Sequence, residues 1–196
     1  MKKWVYDIIS VLMRLWFTVF MPVKVIGKEN VPKEGPCLLC ANHLTFVDPF
    51  LIASKVYPAP IYYMAKKELF EKPVVKSIIT AIGAYPVARG ERDMNAIRTT
   101  FALLKENRII GIFPEGTRSK DGETHELQSG LAMIALRSGA KVVPAFIDGK
   151  YRLFRGPKLH FGEPVALDDL GGKIDSAALN EGTRRIYAAI TGFGKD

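Results

Sequence analysis

The sequence of 196 residues predicts a single α/β domain with a mixed, largely parallel sheet covered by helices. Two observations support this fold class. Short apolar runs that indicate buried strands alternate along the chain with segments that carry helix-start and helix-stop signals. In addition, 48% of the residues are hydrophobic, and a chain of this length can bury a full core.

The first predicted element is an amphipathic helix over residues 1–22. Most residues from 4 to 22 are large and apolar, and the polar exceptions recur at helical spacing: Lys3, Asp7, Ser10, Arg14 and Thr18. A membrane-spanning helix would place Asp7 and Arg14 in hydrocarbon, which is costly. We therefore expect a membrane-associating helix that lies in the interface, with Trp4 and Trp16 near the headgroups. The alternative is a helix that only faces the protein core.

The rest of the chain alternates between strands and helices. Strands are predicted at residues 22–27, 37–41, 61–65, 84–88, 109–113, 142–147 and 158–162. Helices are predicted at 49–56, within 66–82, at 93–107, at 129–139 and from 175 or 176 to about 190. Pro49 favours a helix start, Pro73 breaks a helix, and Asp93, Ser129 and Asp175 can cap helices. In such folds, functional sites collect in the loops beyond strand ends.

Charge is distributed unevenly along the chain. The formal net charge is +8, and residues 1–120 account for all of it, because residues 121–196 hold equal numbers of basic and acidic side chains. A basic region predicts an anionic partner, which could be nucleic acid, an anionic membrane or a phosphorylated substrate.

The two cysteines, Cys37 and Cys40, form one CxxC pair. Such a pair could be half of a zinc site or a redox centre. The pair lies in an apolar run that indicates a buried strand, and there is no second CxxC to complete a four-ligand site. We therefore expect a buried structural pair rather than a zinc site or a redox centre.

The loop after the second predicted strand carries His43 and Asp48, five residues apart. On one straight helix they would diverge by about 140°, but in a turn that leads into a helix they can meet. Asp48 would then fix the imidazole tautomer, and the other ring nitrogen could remove a proton from a hydroxyl. The alternative is that Asp48 only caps the helix that begins at Pro49.

Three further clusters lie on or after strands. Residues 113–119 read Phe-Pro-Glu-Gly-Thr-Arg-Ser, in which Gly116 allows close backbone approach, Arg118 suits a phosphate, and Thr117 adds a hydroxyl donor. Residues 83–89 end a short strand with an arginine, and residues 142–147 form a buried strand that contains a proline. Taken singly, each cluster has an ordinary interpretation as a turn, a solvated arginine or a core strand.

Taken in the order in which they occur along the chain, the four clusters resemble the motifs of the glycerophospholipid acyltransferase family, specifically of its 1-acylglycerol-3-phosphate acyltransferases. The family's first motif is an Asn-His pair followed, after four intervening residues, by Asp. The matches are Asn42, His43 and Asp48 for the first motif, Gly83 and Arg89 for the second, residues 113–119 for the third, and Val143 and Pro144 for the fourth. Four matches in order over about a hundred residues are specific.

The resemblance implies an acyltransferase domain over residues 23–196. His43, oriented by Asp48, would act as general base on the sn-2 hydroxyl of lysophosphatidic acid. The hydroxyl would attack an acyl thioester, carried by coenzyme A or acyl carrier protein, to form phosphatidic acid at the cytoplasmic face of the cell membrane. The reaction implied in this way needs no metal and no cofactor. The substrate-binding residues implied in this way, with the arginines on the phosphate, are Asn42, Arg89, Lys105, Glu115, Gly116, Thr117 and Arg118.

Other functions stay open on the sequence alone. Within the family, the acceptor could be glycerol 3-phosphate, another lysophospholipid or a lyso-aminolipid. A non-enzymatic peripheral protein that binds anionic lipid would also be basic. A nucleic-acid binder is disfavoured, because the aromatic residues lie in apolar runs and in the N-terminal helix rather than between basic residues.

Overall fold

The computed structural model describes residues 1–88, 93–114 and 124–193 of the chain. In these ranges the strands are β1 (Lys24–Ile26), β2 (Cys37–Ala41), β3 (Ile61–Lys66), β4 (Ala84–Val87), β5 (Ile109–Ile112), β6 (Lys141–Asp148) and β7 (Lys158–Phe161). The helices are α1 (Lys3–Val19), α2 (Asp48–Val56), α3 (Pro73–Ala81), α4 (Met94–Lys105), α5 (Thr124–Ser138) and α6 (Ser176–Thr191). The predicted α/β fold is confirmed.

All strands of the described residues belong to one sheet, in the order β1-β7-β6-β2-β5-β3-β4. Every pair of neighbours is parallel except β6 and β7, which are antiparallel. The carboxyl ends of β2, β3, β4, β5 and β6 therefore meet at one edge of the sheet. In parallel α/β sheets this edge is where functional sites form.

Two apolar clusters cover the two faces of the sheet. On one face, α1 and α2 contribute residues such as Phe17 and Leu51. On the other face, α4, α5 and α6 contribute Leu104, Leu131 and Ile186. All five residues of β2 are buried, and they contribute to both clusters because successive side chains of a strand point to opposite faces.

The same alternation explains the two cysteines. Cys37 belongs to the cluster on the α1 side and Cys40 to the cluster on the opposite side. Both are fully buried and unpaired. Burial raises the pKa of the Cys37 thiol to about 12. Because the two sulfurs lie on opposite faces of the sheet, they cannot share a disulfide or a metal ion.

Helix starts follow the predicted capping residues in two of three cases. Asp93 accepts hydrogen bonds from the backbone N–H groups of the first turn of α4, and Asp175 does the same for α6. The prediction that Ser129 caps a helix is wrong, because α5 begins at Thr124. The segment 126–128 is Glu-Leu-Gln, three good helix formers, so the helix extends upstream of Ser129.

α1 packs on the domain with one side and leaves the other side open. Tyr6, Ser10 and Phe17 are buried, and the Tyr6 hydroxyl accepts a hydrogen bond from the backbone N–H of Ile61 at 3.2 Å. Ser10 therefore leaves the predicted polar stripe and faces the core. Large apolar side chains are exposed on the other side: Trp4, Ile8, Val11, Leu12, Leu15, Trp16 and Val19. None of the helices in the described ranges has the length and hydropathy that crossing a membrane requires.

Candidate active site

The turn between β2 and α2 brings His43 and Asp48 together. β2 ends at Ala41, and the chain bends before α2 begins at Asp48. Nδ1 of His43 lies 2.8 Å from Oδ2 of Asp48. The five-residue separation that would point the two side chains apart on a straight helix is closed because most of it lies in the turn.

Asp48 is fully buried and surrounded by hydrogen-bond donors. Besides His43, its Oδ2 atom accepts from the backbone N–H groups of Leu44 at 2.6 Å and Thr45 at 2.8 Å. Its Oδ1 atom accepts from the hydroxyls of Thr45 at 3.1 Å and Tyr151 at 2.6 Å. Burial acts to raise the pKa of Asp48, but the donors, His43 and Tyr151 foremost, outweigh it and hold that pKa below its ordinary value.

The charge on Asp48 determines the tautomer of His43. An ionised carboxylate can only accept, so Nδ1 of the imidazole carries the proton in this contact. Nε2 is then the basic nitrogen of the neutral ring, and no hydrogen bond among the described residues uses it. The side chain of His43 is 25% exposed, so part of the imidazole ring is accessible from the surface.

The ring of His43 is also held by an aromatic stack. It packs on Phe113 with ring centroids 4.4 Å apart and an interplanar angle of 25°. Phe113 in turn stacks on Tyr63, with centroids 6.0 Å apart. β2 and β5 are parallel neighbours, so the residues that follow them meet at the same edge of the sheet. An imidazole fixed in plane and tautomer can remove a proton from a hydroxyl placed at Nε2.

Tyr151 is a residue of this site that the sequence analysis missed. It lies in the connection between β6 and β7, 103 residues from Asp48. Burial raises the pKa of its hydroxyl, and the hydrogen bond to Asp48 and the carboxylate charge raise it further, so the hydroxyl stays a proton donor. No local pattern marks it. The available signal was topological, because β6 ends at the same edge as β2.

The structure gives Asn42 a different role from the predicted substrate contact. Its side chain is buried, its Nδ2 donates to the backbone carbonyl of Ile147 at 3.1 Å, and its Oδ1 accepts from the N–H of the same residue at 2.7 Å. This pair of hydrogen bonds joins the end of β2 to β6. It fixes the position from which His43 projects, and it argues against binding of the substrate by Asn42.

The predicted phosphate contact of Lys105 is wrong. Lys105 is the last residue of α4, which leads to the amino end of β5. Asn107 and Arg108 contact the backbone of Gly35 and Cys37 at the start of β2. Lys105 therefore lies at the sheet edge opposite to His43. The spacing along the chain did not reveal this, because a helix carries the chain from one edge to the other.

The remaining predicted substrate-binding residues lie outside the described residues: Arg89, Glu115, Gly116, Thr117 and Arg118. Along the sequence, the described ranges stop at Ala88 and at Pro114, directly before Arg89 and Glu115. β4 ends at Val87 and β5 at Ile112, and both strands run toward the edge that holds His43.

Comparison with known proteins identifies the family. Residues 22–148 match the sequence model of the family described as Acyltransferase. The chain belongs to the acyltransferase family. Three similar proteins support this family assignment. The 1-acyl-sn-glycerol-3-phosphate acyltransferase of Bacillus subtilis is 38% identical over 167 residues, which cover 81% of this chain and 83% of that protein.

The second relative, the protein of the same name from Borreliella burgdorferi, is 34% identical over 122 residues, covering 61% of this chain and 48% of that protein. The third comparison is structural. The crystal structure of the 1-acyl-sn-glycerophosphate acyltransferase PlsC from Thermotoga maritima superposes with a TM-score of 0.69 at 29% identity. The superposition covers 97% of this chain and 78% of that one. In the present chain, His43, Asp48 and Phe113 lie inside the residues that match the family model, whereas Tyr151 lies just beyond them.

Proposed function

We propose that this acyltransferase moves a fatty acyl group from an acyl thioester to the sn-2 hydroxyl of 1-acyl-glycerol 3-phosphate, which forms phosphatidic acid. The observation that carries the proposal is the 2.8 Å contact between the partly exposed His43 and the buried, ionised Asp48. The names of the B. subtilis and B. burgdorferi relatives support the choice of acceptor. Acyl-coenzyme A and acyl carrier protein are both proposed as donors.

The proposed reaction needs one base and no covalent acyl-enzyme. Nε2 of His43 takes the proton from the acceptor hydroxyl as its oxygen attacks the thioester carbonyl. The tetrahedral intermediate then expels the thiolate, which receives the proton back from the imidazolium. Asp48 offsets the positive charge that His43 carries during these steps. The thioester is already activated, so a positioned base suffices.

The acceptor's phosphate is assigned to the arginines of the second and third motifs, Arg89 and Arg118. Their motif positions and the planar fork of the guanidinium support this assignment. The strands before both residues lead to the edge that holds His43. Glu115, Gly116 and Thr117 remain proposed contacts of the acceptor on the basis of the motif.

We further propose that the protein works as a peripheral protein at the cytoplasmic face of the cell membrane, with α1 in the interface. The exposed apolar side of α1 supports this placement, since a continuous exposed apolar stripe on a helix favours the headgroup boundary. Phe46, which lies between His43 and Asp48 in sequence, is 84% exposed. It would add apolar surface next to the base, as a lipid acceptor requires.

The decisive experiment is an acyl-transfer assay with labelled acyl-coenzyme A or acyl carrier protein and lysophosphatidic acid in detergent micelles. We expect His43→Ala to lower the transfer rate by about a thousandfold or more, because the base is lost. His160→Ala is the matched control. His160 lies in β7, on the other side of β6 from β2, and its loss should change the rate by less than about threefold.

An acceptor panel separates the alternatives. Faster transfer to glycerol 3-phosphate, another lysophospholipid or a lyso-aminolipid would replace the acceptor but keep the mechanism. If neither donor supports transfer to any acceptor while the folded chain still binds anionic vesicles, the protein is a non-enzymatic lipid-binding protein and the proposal fails.

A further inference from the structure

The connection between β6 and β7 presents two large apolar side chains at the tip of a turn. Residues 150–155 read Lys-Tyr-Arg-Leu-Phe-Arg, and we call this segment the basic turn. The backbones of Arg152 and Arg155 form an isolated antiparallel bridge across the segment, so Leu153 and Phe154 form its tip. Leu153 is 62% exposed and Phe154 is 67% exposed. The folded chain alone therefore gives these side chains little to pack against.

The backbone at the tip also has a conformation that a phenylalanine rarely adopts. Phe154 has φ of 61°, in the left-handed region that favours Gly, Asn or Asp. A bulky apolar residue in this conformation, with its ring in water, stabilises the fold poorly. Strained and exposed residues of this kind indicate a function outside the fold.

Positive charge surrounds the apolar tip. Lys150, Arg152 and Arg155 are exposed, and none of them forms an ion pair with an acidic side chain of the described residues. The nearby Asp148 is at 3.8 Å from Lys158, on the strand that follows. The basic turn thus combines apolar side chains with uncompensated positive charge, which is the composition of segments that bind anionic lipid surfaces.

The basic turn is fixed to the end of α1. The backbone N–H of Phe154 donates to the carbonyl of Phe20 at 2.6 Å. Gly156 lies so close to the same segment that a Cβ there would come within 2.7 Å of the Pro22 carbonyl oxygen. Val19 and Phe20, at the end of α1, are exposed as well. The tip therefore continues the exposed apolar side of α1.

The base of the same turn contacts the candidate active site. Tyr151, two residues before Leu153, donates its hydroxyl to Asp48 at 2.6 Å. A membrane surface that contacts the tip would therefore lie near the proposed catalytic pair. A lipid acceptor has to arrive at this place.

We propose that the basic turn is a second membrane-docking element, which inserts Leu153 and Phe154 into the interface of a bilayer that contains anionic phospholipid. The proposal rests on the proposed function only in that both place the chain at a bilayer. Docking at two elements, α1 and the basic turn, would fix the orientation of the sheet edge toward the membrane. One element alone would leave the chain free to rotate about the axis of α1.

The direct test uses a single introduced thiol. Cys37 and Cys40 are fully buried, so Leu153→Cys can be labelled selectively with an environment-sensitive fluorophore on the folded, full-length chain. We expect a blue shift and an increase in emission when vesicles of phosphatidylcholine and phosphatidylglycerol are added. Tyr187→Cys is the matched control, because Tyr187 is exposed on α6, on the face of the sheet opposite to α1, and its label should not respond.

The charge contribution is tested separately by vesicle flotation. Replacing Arg152 and Arg155 by Gln should weaken binding to the anionic vesicles by roughly fivefold per charge and leave binding to pure phosphatidylcholine unchanged. The control pair Lys105→Gln and Lys173→Gln removes the same charge from exposed positions elsewhere and should have less than about a twofold effect.

The outcomes distinguish this proposal from the proposed function. If the chain floats with vesicles while the Leu153 label does not respond, α1 docks alone and the proposal is overturned. It is overturned equally if the arginine pair and the lysine pair weaken binding to the same extent. The assay in detergent micelles reports the proposed function independently, since the hydrogen bonds that the described residues make to His43 and Asp48 do not involve the side chains of residues 152, 153 and 155.

Discussion

Two aspartates at helix starts, Asp48 and Asp175, have similar sequence settings and opposite surroundings. Asp175 is the N-cap of α6 and accepts from the backbone N–H groups of Ala177 and Ala178 at 3.0 and 3.1 Å. Asp48 is already the first residue of α2, and the two backbone N–H groups that donate hydrogen bonds to it belong to the turn before the helix. The carboxylate of Asp175 therefore caps its own helix, and the carboxylate of Asp48 stabilises the turn that precedes its helix.

This difference shows which contacts of Asp48 suit its proposed role of orienting His43. A capping carboxylate at the surface has its oxygens directed at the helix that it starts. Asp48 is buried, and its donors come from the turn, from His43 and from Tyr151 on a distant connection. The ordinary interpretation of Asp48 as a helix cap is thus excluded by its contacts rather than by its position in the sequence.

The sharpest test of the comparison is the same substitution at both positions. Asp48→Asn should lower acyl transfer by about 10³- to 10⁴-fold, because the amide has no charge to offset the imidazolium and can hold His43 in the wrong tautomer. Asp175→Asn should leave the rate within about twofold, since Asn caps helices as well as Asp does. Rates are measured in detergent micelles at saturating acceptor.

Circular dichroism on both variants separates loss of chemistry from loss of fold. If folded Asp48→Asn keeps more than about a tenth of the wild-type rate, the carboxylate only shapes the turn, and the two aspartates differ in location but not in kind.

Tyr151→Phe probes the contact that distinguishes Asp48 most clearly. The change deletes one hydroxyl that donates to a buried charge, which we expect to lower the free energy of unfolding by about 1.5–3 kcal/mol. It should lower the transfer rate by about tenfold, because Asp48 loses a donor that positions it. A rate within twofold of the wild type would show that Tyr151 is structural only.

The pH dependence of the same variant has a definite sign. The pKa of Asp48 is below its ordinary value of 3.8, so its charged hydrogen bonds stabilise the fold above that pH and are lost as the pH falls through the lowered pKa. Without Tyr151, that pKa moves back up. The stability difference between wild type and Tyr151→Phe should therefore be largest above pH 3.8 and shrink below it, in denaturant unfolding at a series of pH values.

The sequence predicted the architecture and the contact between His43 and Asp48. Strand runs such as 37–41 and caps such as Asp93 are local signals, and His43 and Asp48 are close enough in sequence for one turn to join them. Tyr151 and the Asn42–Ile147 hydrogen bonds depend on which strands are neighbours, which the sequence alone does not give. Lys105 failed for the same reason, since the direction of α4 relative to the sheet decides which edge it reaches.

The smallest effect belongs to the capping role itself. Asp175→Ala removes the acceptor for two backbone N–H groups of α6 and should lower the free energy of unfolding by about 1 kcal/mol, with acyl transfer unchanged. Asp175→Asn should recover most of that stability. At Asp48 we expect the opposite: Asn should not preserve transfer, because the proposed mechanism needs the charge of the carboxylate and not a helix cap. A loss of transfer in folded Asp175→Ala would mean that the start of α6 also affects the candidate active site. The two aspartates would then differ only in how strongly they affect transfer.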